Sequence, residues 1–148
     1  MAGPLALPTT PGVRFRGLRT VAFDGLNSVK APDSGRNRGW LGRIRHRMGS
    51  AGYPTLRLMT LVETGTRALI GATIGSAAER DEVGLARRLV PLLGPGMLLL
   101  ADRAFDATTL LQQIAVTRAM FLVRARPPAV HRCWPTCATG LSCRCWMA

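Results

Sequence analysis

Apolar positions along the chain fall into short blocks of different period. Leu18 to Phe23 alternates enough to predict a short strand, which Asp24-Gly25 would end. Leu56 to Glu63 and Arg67 to Ile74 are two β-rich runs, and the Thr64-Gly65-Thr66 connection between them predicts an antiparallel hairpin. From Glu79 to Leu93 the period lengthens. Val83, Leu85, Ala86, Leu89, Val90 and Leu93 recur every three or four residues, and Glu79, Asp81 and Glu82 stand where a helix dipole favours acids. This spacing predicts an amphipathic helix stopped by Gly94-Pro95-Gly96. Met97 to Ala101 is an uninterrupted apolar run, the signature of a central strand covered on both faces. Ala107 to Arg118 reads as a second helix and Met120 to Val123 as another buried strand. The order β, β-hairpin, α, β, α, β predicts a mixed α/β sheet with helices packed against it.

Two segments carry no such pattern. Residues 1–17, rich in Pro, Gly and Thr, read as a disordered lead-in. Ser28 to Ser50 lacks sustained periodicity, and Arg36, Arg38, Arg43, Arg45 and Arg47 crowd it together with His46, which reads as an extended basic loop closed by Tyr53-Pro54. The expected organisation is a lead-in over 1–17, an α/β domain over 18–126, and an aberrant Cys- and Pro-rich tail over 127–148.

Composition narrows the partners. With 148 residues, 47% of them hydrophobic, the chain is one domain long enough to bury a core. The net charge of +12 comes from 20 basic residues against 8 acidic ones, and Lys30 is the sole lysine. Guanidinium groups pair bidentately with phosphate, so a nucleic acid is the leading partner and an anionic membrane surface the second. A G/C-rich genome also enriches Arg over Lys, so the excess of positive charge is more informative than the choice of Arg. Met1 to Pro11 holds no basic residue and only a short apolar stretch, and no run of 18 apolar residues follows. A soluble, cytoplasmic protein without a membrane segment is expected.

Asp24 and Asp102 occupy equivalent places, each directly after an apolar strand where the chain leaves the sheet. Sites of open α/β sheets gather there. On neighbouring strands the two carboxylates would converge as oxygen donors for a hard divalent cation, Mg²⁺ above all. The plainer reading makes Asp24-Gly25 a turn and Asp102 a strand-ending cap.

Three blocks add a resemblance. Val21-Ala22-Phe23-Asp24-Gly25, then Gly52-Tyr53-Pro54-Thr55-Leu56-Arg57-Leu58 with Leu61-Val62-Glu63, then Pro95 to Phe105 around Ala101-Asp102-Arg103 resemble the DDE transposases of bacterial insertion sequences, in the insertion-sequence-four group. The resemblance covers roughly residues 14–126 in matching order. It implies a ribonuclease H-like α/β fold, incomplete at the C-terminus, with Asp24 and Asp102 as the first two catalytic, Mg²⁺-binding aspartates of an enzyme that cuts and joins DNA during transposition. The family's third member, a glutamate on a helix after the last strand, has no counterpart. Glu63, Glu79 and Glu82 fall in the hairpin and first helix, so the chain is expected to be inactive in strand transfer. A non-catalytic DNA-binding remnant, able to associate with intact transposase subunits, is the alternative.

Five arginines in the twelve residues from Arg36 to Arg47 make that stretch the candidate phosphate contact, to transposon ends or target DNA. A solvated loop is the competing reading. Trp40 is its one aromatic residue, which favours backbone over base recognition. Arg103, beside Asp102, is a second candidate, either for a scissile phosphate or for a surface carboxylate.

All four cysteines, Cys133, Cys137, Cys143 and Cys145, lie in the last 16 residues, with His131 close by. Their spacing fits no common zinc pattern, and a disulfide framework has no secretion signal to support it. Acidic residues vanish after Asp106 while Cys, Trp and Pro become dense, as in a G/C-rich gene read out of frame. Resequencing through codons 120–148 and beyond tests this: an open shifted frame with an alternating strand and a later glutamate is expected, whereas a single open frame encoding the cysteines revives the zinc reading.

Overall fold

The computed structural model describes residues 6–7, 9–46, 49–76, 79 and 81–124. The tail from 125, including His131 and the cysteines, lies outside the described residues, as does Arg47. Seven strands, β1 (Arg14–Phe15), β2 (Leu18–Lys30), β3 (Arg43–His46), β4 (Gly49–Glu63), β5 (Leu69–Gly75), β6 (Met97–Ala101) and β7 (Met120–Val123), form one mixed sheet. Three α-helices accompany them: α1 (Gly35–Leu41), α2 (Glu82–Arg87) and α3 (Thr108–Val116).

The expected mixed α/β sheet is present, and β2 is its hinge of direction. On one side β2 pairs antiparallel with β4, and β4 in turn with β5. On the other side it pairs parallel with β6, and β6 with β7. Side chains alternate across each strand, so register decides which residues share a face. Val21, Phe23, Met59, Leu61 and Leu99 turn to one face and are buried there with Leu85, Leu89, Phe105, Leu110 and Ile114 from the helical layer. Burying each large aliphatic side chain contributes about 2 kcal/mol. Phe23 meets Phe105 with ring centroids 5.5 Å apart.

On the opposite face, Leu58, Thr60, Val62, Leu98 and Leu100 are half-buried, and Ile74, Met120 and Leu122 are exposed. No described helix covers this face.

Several boundaries differ from the sequence reading. The β2 strand does not end at Asp24-Gly25 but runs on to Lys30, because Thr60 and Met59 of β4 pair with those two residues and a register shift between Leu26 and Val29 absorbs Asn27-Ser28. The basic segment is no loop. Ser34 caps α1 by accepting a hydrogen bond from Asn37 N at 3.2 Å, and Gly42 ends it at φ 64°. The helix expected over Glu79 to Leu93 is shorter: α2 gives way to a 3-10 turn over Val90–Leu92 because Pro91 has no N–H to donate. Part of the lead-in is ordered, with β1 in the sheet and Val13 buried.

One buried charge anchors the amino end of the core. Glu63 is fully buried; Arg19 Nε donates to its Oε1 at 2.5 Å and Thr66 Oγ1 to its Oε2 at 2.5 Å. Burial pushes the carboxyl pKa up, but the hydrogen bonds from Thr66 and Arg19 and the charges of Arg19 and Arg14 outweigh it and hold the group below its ordinary range. Beside it the 64–66 turn packs against the lead-in so closely that a methyl carbon on Gly65 would lie 2.6 Å from Gly12 C and Val13 N.

Two outcomes follow for stability. Glu63→Gln is expected to lower it by about 2 kcal/mol at neutral pH, since it strands the Arg19 guanidinium. Because the folded-state pKa is depressed, the Glu63 contribution is full above the unfolded value of about 4.3 and fades as pH falls through the folded one, so denaturation curves of wild type and variant should converge in acid. A constant gap down to acid pH contradicts this. Gly65→Ala, which must move backbone rather than a side chain, is expected to lower the melting temperature by about 5 °C, read by calorimetry.

Candidate carboxylate site and basic arm

The register of β2 against β6 runs Arg19 with Met97, Thr20 with Leu98, Val21 with Leu99 and Ala22 with Leu100. Two further steps along each strand reach Asp24 and Asp102. The two aspartates therefore stand level at the carboxyl edge of adjacent parallel strands, in the alternation of Ala22 and Leu100, which turns them to the uncovered face. Both are exposed. The turn reading of Asp24 fails, since β2 continues through it and its backbone carbonyl accepts a hydrogen bond from Thr60 Oγ1 at 3.0 Å. The cap reading of Asp102 holds: its Oδ1 accepts from Ala104 N at 2.5 Å and starts the 3-10 turn Arg103–Phe105. Capping fixes the carboxylate at the strand end and engages one oxygen, so it is compatible with a site.

The other acids do not complete the pair. Glu63 belongs to the core ion pair at the opposite end of the sheet, and Glu79 is bonded to Arg88 and Ser76. The Glu82 carboxylate comes near the strand, with Oε1 3.5 Å from where a methyl carbon on Gly25 would stand, but Gly25 alternates to the covered face. Among the described residues no three His, Cys, Asp or Glu side chains gather as a metal site. Two hard oxygen donors fit part of a Mg²⁺ cage and do not make one.

Beyond Asp24 the sheet narrows, since β6 pairs only as far as Ala22 and β5 follows β4 only to Arg57, so that past Leu26 a β2–β4 ribbon remains, paired to Lys30 and Thr55. On its end sit α1 and β3, the latter running antiparallel along β4. The helix packs on β4 and buries Leu41. This arm projects from the edge that carries the aspartates, which sequence reasoning did not place together. It holds Arg36, Arg38, Arg43 and the backbone of Arg45. Asp33 draws in two of these, taking Arg38 at 3.3 Å and both oxygens' bonds from Arg43 Nη2 at 3.0 and 3.1 Å. Arg36 is exposed on the outer face of α1. Arg103 is exposed beside Asp102. Missed in the sequence were Tyr53, about half exposed, and Lys30, whose ammonium lies 5.8 Å from the Tyr53 ring centroid. The pair could not be found by local spacing, since 23 positions separate its members.

Comparison with known structures supplies the fold's name. A piggyBac transposase, solved by cryo-EM as a synaptic complex with hairpin DNA, matches with a TM-score of 0.51 at 10% sequence identity, over 76% of this chain. The fold is ribonuclease H-like. This chain spans 24% of the length of that transposase. No protein-family model and no curated protein sequence matches the chain. Within the ribonuclease H-like sheet, β2, β4 and β5 form the antiparallel meander and β6 and β7 the parallel half. No described helix is long and apolar enough to cross a membrane.

The level placement of the aspartates is open to a direct chemical test. Parallel neighbours lie about 4.8 Å apart, within disulfide range. With the tail cysteines changed to Ser, Asp24→Cys/Asp102→Cys is expected to form a disulfide on mild oxidation, mapped by peptide mass spectrometry. Asp24→Cys/Val116→Cys, whose second position ends α3 beyond the far edge, should not. Equal cross-linking of both pairs, or of neither, contradicts the register.

Proposed function

We propose that this chain carries part of the catalytic core of a DDE-type DNA transposase of the insertion-sequence-four group, with Asp24 and Asp102 as its first two catalytic carboxylates. The observation that carries this reading is the parallel pairing of β2 with β6, which sets two exposed aspartates level on one face of a ribonuclease H-like sheet. The fold likeness to a transposase solved on DNA supports the same reading, as do the three sequence blocks around Asp24, Tyr53 and Asp102.

In this reading Asp24 and Asp102 would supply two of the oxygen ligands of Mg²⁺, whose chemistry when bound would be activation of the attacking hydroxyl in DNA cleavage and strand transfer. The described residues offer no third carboxylate, so the chain alone is inactive in both steps. DNA binding does not need the metal. Arg36, Arg38, Arg43, Arg45, Arg47 and Arg103 take the phosphates of transposon ends or target DNA, with Arg36, Arg38 and Arg103 exposed among the described ones. The protein works in the cytoplasm on DNA. The uncovered face, with Met120 and Leu122 exposed, suits association with intact transposase subunits.

The second reading, a non-catalytic DNA-binding remnant, is favoured by the incomplete carboxylate set together with the net charge of +12. Anisotropy titrations with a labelled duplex at several salt concentrations separate the possibilities. Arg36→Ala/Arg38→Ala/Arg43→Ala is expected to weaken binding and to reduce the slope of log K against log salt by about one to three. Asp24→Asn and Asp102→Asn should leave affinity intact or strengthen it by removing negative charge near the phosphates, while abolishing any Mn²⁺ binding seen by paramagnetic resonance. An unchanged salt slope in the arginine variant removes the arm from DNA binding, and Mn²⁺ binding that survives both asparagine changes removes the carboxylates from the metal.

A further inference from the structure

We infer that the arm is a stacking platform for unpaired nucleotides, with Trp40 and Tyr53 receiving bases and Arg36 and Lys30 their phosphates. This rests on the DNA-binding reading above and adds the state of the DNA that is preferred.

Two large aromatic side chains stand in water on one small appendage. Trp40 is 52% exposed and Tyr53 51%, whereas Phe23 and Phe105 are buried in the core. The arm has other anchors. The inward face of α1 is built by Leu41, which is buried, and by Asn37, whose Nδ2 donates to Pro32 O at 2.9 Å. Pro54 and Thr55, not Tyr53, are the buried residues of β4 at that level. An indole and a phenol left half in water on one appendage are surfaces for something flat and apolar, whereas Phe15, 57% exposed with Arg16 over its ring, stands alone on β1.

The cations beside them fix the chemistry of that partner. Arg36 and Trp40 are four residues apart on α1, so they share its outer face and are both exposed. The Lys30 ammonium lies over the Tyr53 ring, 5.8 Å from its centroid. Each aromatic is therefore paired with one positive group, the alternation that single-stranded nucleic acid presents in reverse as base and phosphate. Bases inside a duplex expose only their edges and a blunt end offers one face alone, so a platform of two rings prefers a frayed end or a short single strand.

Placement gives the platform a role. From Asp24 to Lys30 the ladder advances five positions of β4, Thr60 to Thr55, about 17 Å at 3.3 Å each, or roughly five nucleotides along one strand of B-form DNA. A strand whose phosphate lies at the carboxylate pair reaches the arm with bases a few nucleotides further on, and opening the duplex there would hold the end in place.

Anisotropy titrations of the full chain with three labelled probes test the assignment: a blunt 20-base-pair duplex, the same duplex with six unpaired nucleotides at one end, and a 12-nucleotide deoxythymidine strand. The frayed duplex is expected to bind about tenfold more tightly than the blunt one. Trp40→Ala and Tyr53→Ala should each remove most of that preference while leaving the blunt duplex affinity within about twofold, and Trp40→Phe should keep it. Far-ultraviolet dichroism and melting curves identify any alanine variant that has unfolded, for which Trp40→Leu or Tyr53→Leu serves instead, with the same loss of preference expected. Equal binding of blunt and frayed duplexes by the wild type overturns the stacking proposal while leaving the DNA-binding reading in place. Equal losses on both probes in Trp40→Ala reduce the residue to a support for the arm and overturn it too. Tighter binding of the matching ribo-oligonucleotide overturns the assignment to DNA, and failure to bind any probe overturns the transposase reading itself.

Discussion

The structure depends on β2 being paired on both edges in opposite senses. Its ladder to β4 is antiparallel and comes from a chain that turns back on itself; its ladder to β6 is parallel and needs the crossover through α2 and the 3-10 turn Val90–Leu92. Val21 and Leu99, level in that parallel ladder and fully buried, secure it from the core side. The closeness of Asp24 and Asp102 is then a consequence of backbone register. Two like charges would not choose to meet; the ladder brings the middle of β2 level with the end of β6, and exposure to water screens what repulsion remains.

That edge also explains why the functional features cluster. Strands β6 and β7 end there, while β2 continues with β4 and, past the end of β5, forms a ribbon carrying α1 and β3. The carboxylates sit at the base of the ribbon and the cationic and aromatic groups at its tip. At the opposite edge the Arg19–Glu63 ion pair and the 64–66 turn close the core. One end of the sheet is thus devoted to stability and the other left open, polar and strongly positive.

How much of this was legible in the sequence follows from the range of each interaction. The bounds of β6 and β7 were readable to the residue from their uninterrupted apolar runs, and the β4–β5 hairpin because its turn is local, but the burial on both faces that those runs predicted is not met, since Met120 and Leu122 are exposed on the uncovered face. The extent of β2 was not, since Asp24-Gly25 has the local chemistry of a turn and only pairing with Met59 and Thr60 overrides it. Helix α1 carried its signals in Ser34 and Gly42, but seven residues with a single buried position give no periodicity to detect. The candidate aspartates were visible at strand ends and gained their meaning from the family resemblance; that they stand level was a property of register alone. Lys30 and Tyr53 meet only through the folded ribbon, and the partial sequestration of Arg38 and Arg43 by Asp33 required α1 to exist.

The central claim is that bound DNA lies across the carboxylate edge. Tethered cleavage measures this directly: an iron–EDTA reagent is attached in turn to Asp24→Cys, Asp102→Cys and Val116→Cys, in a background with the tail cysteines changed to Ser, and end-labelled DNA is bound and cut. Cuts from positions 24 and 102 at the same few nucleotides, with none from the exposed position 116, are the expected result. Cleavage from position 116 and none from the aspartate positions would contradict the account.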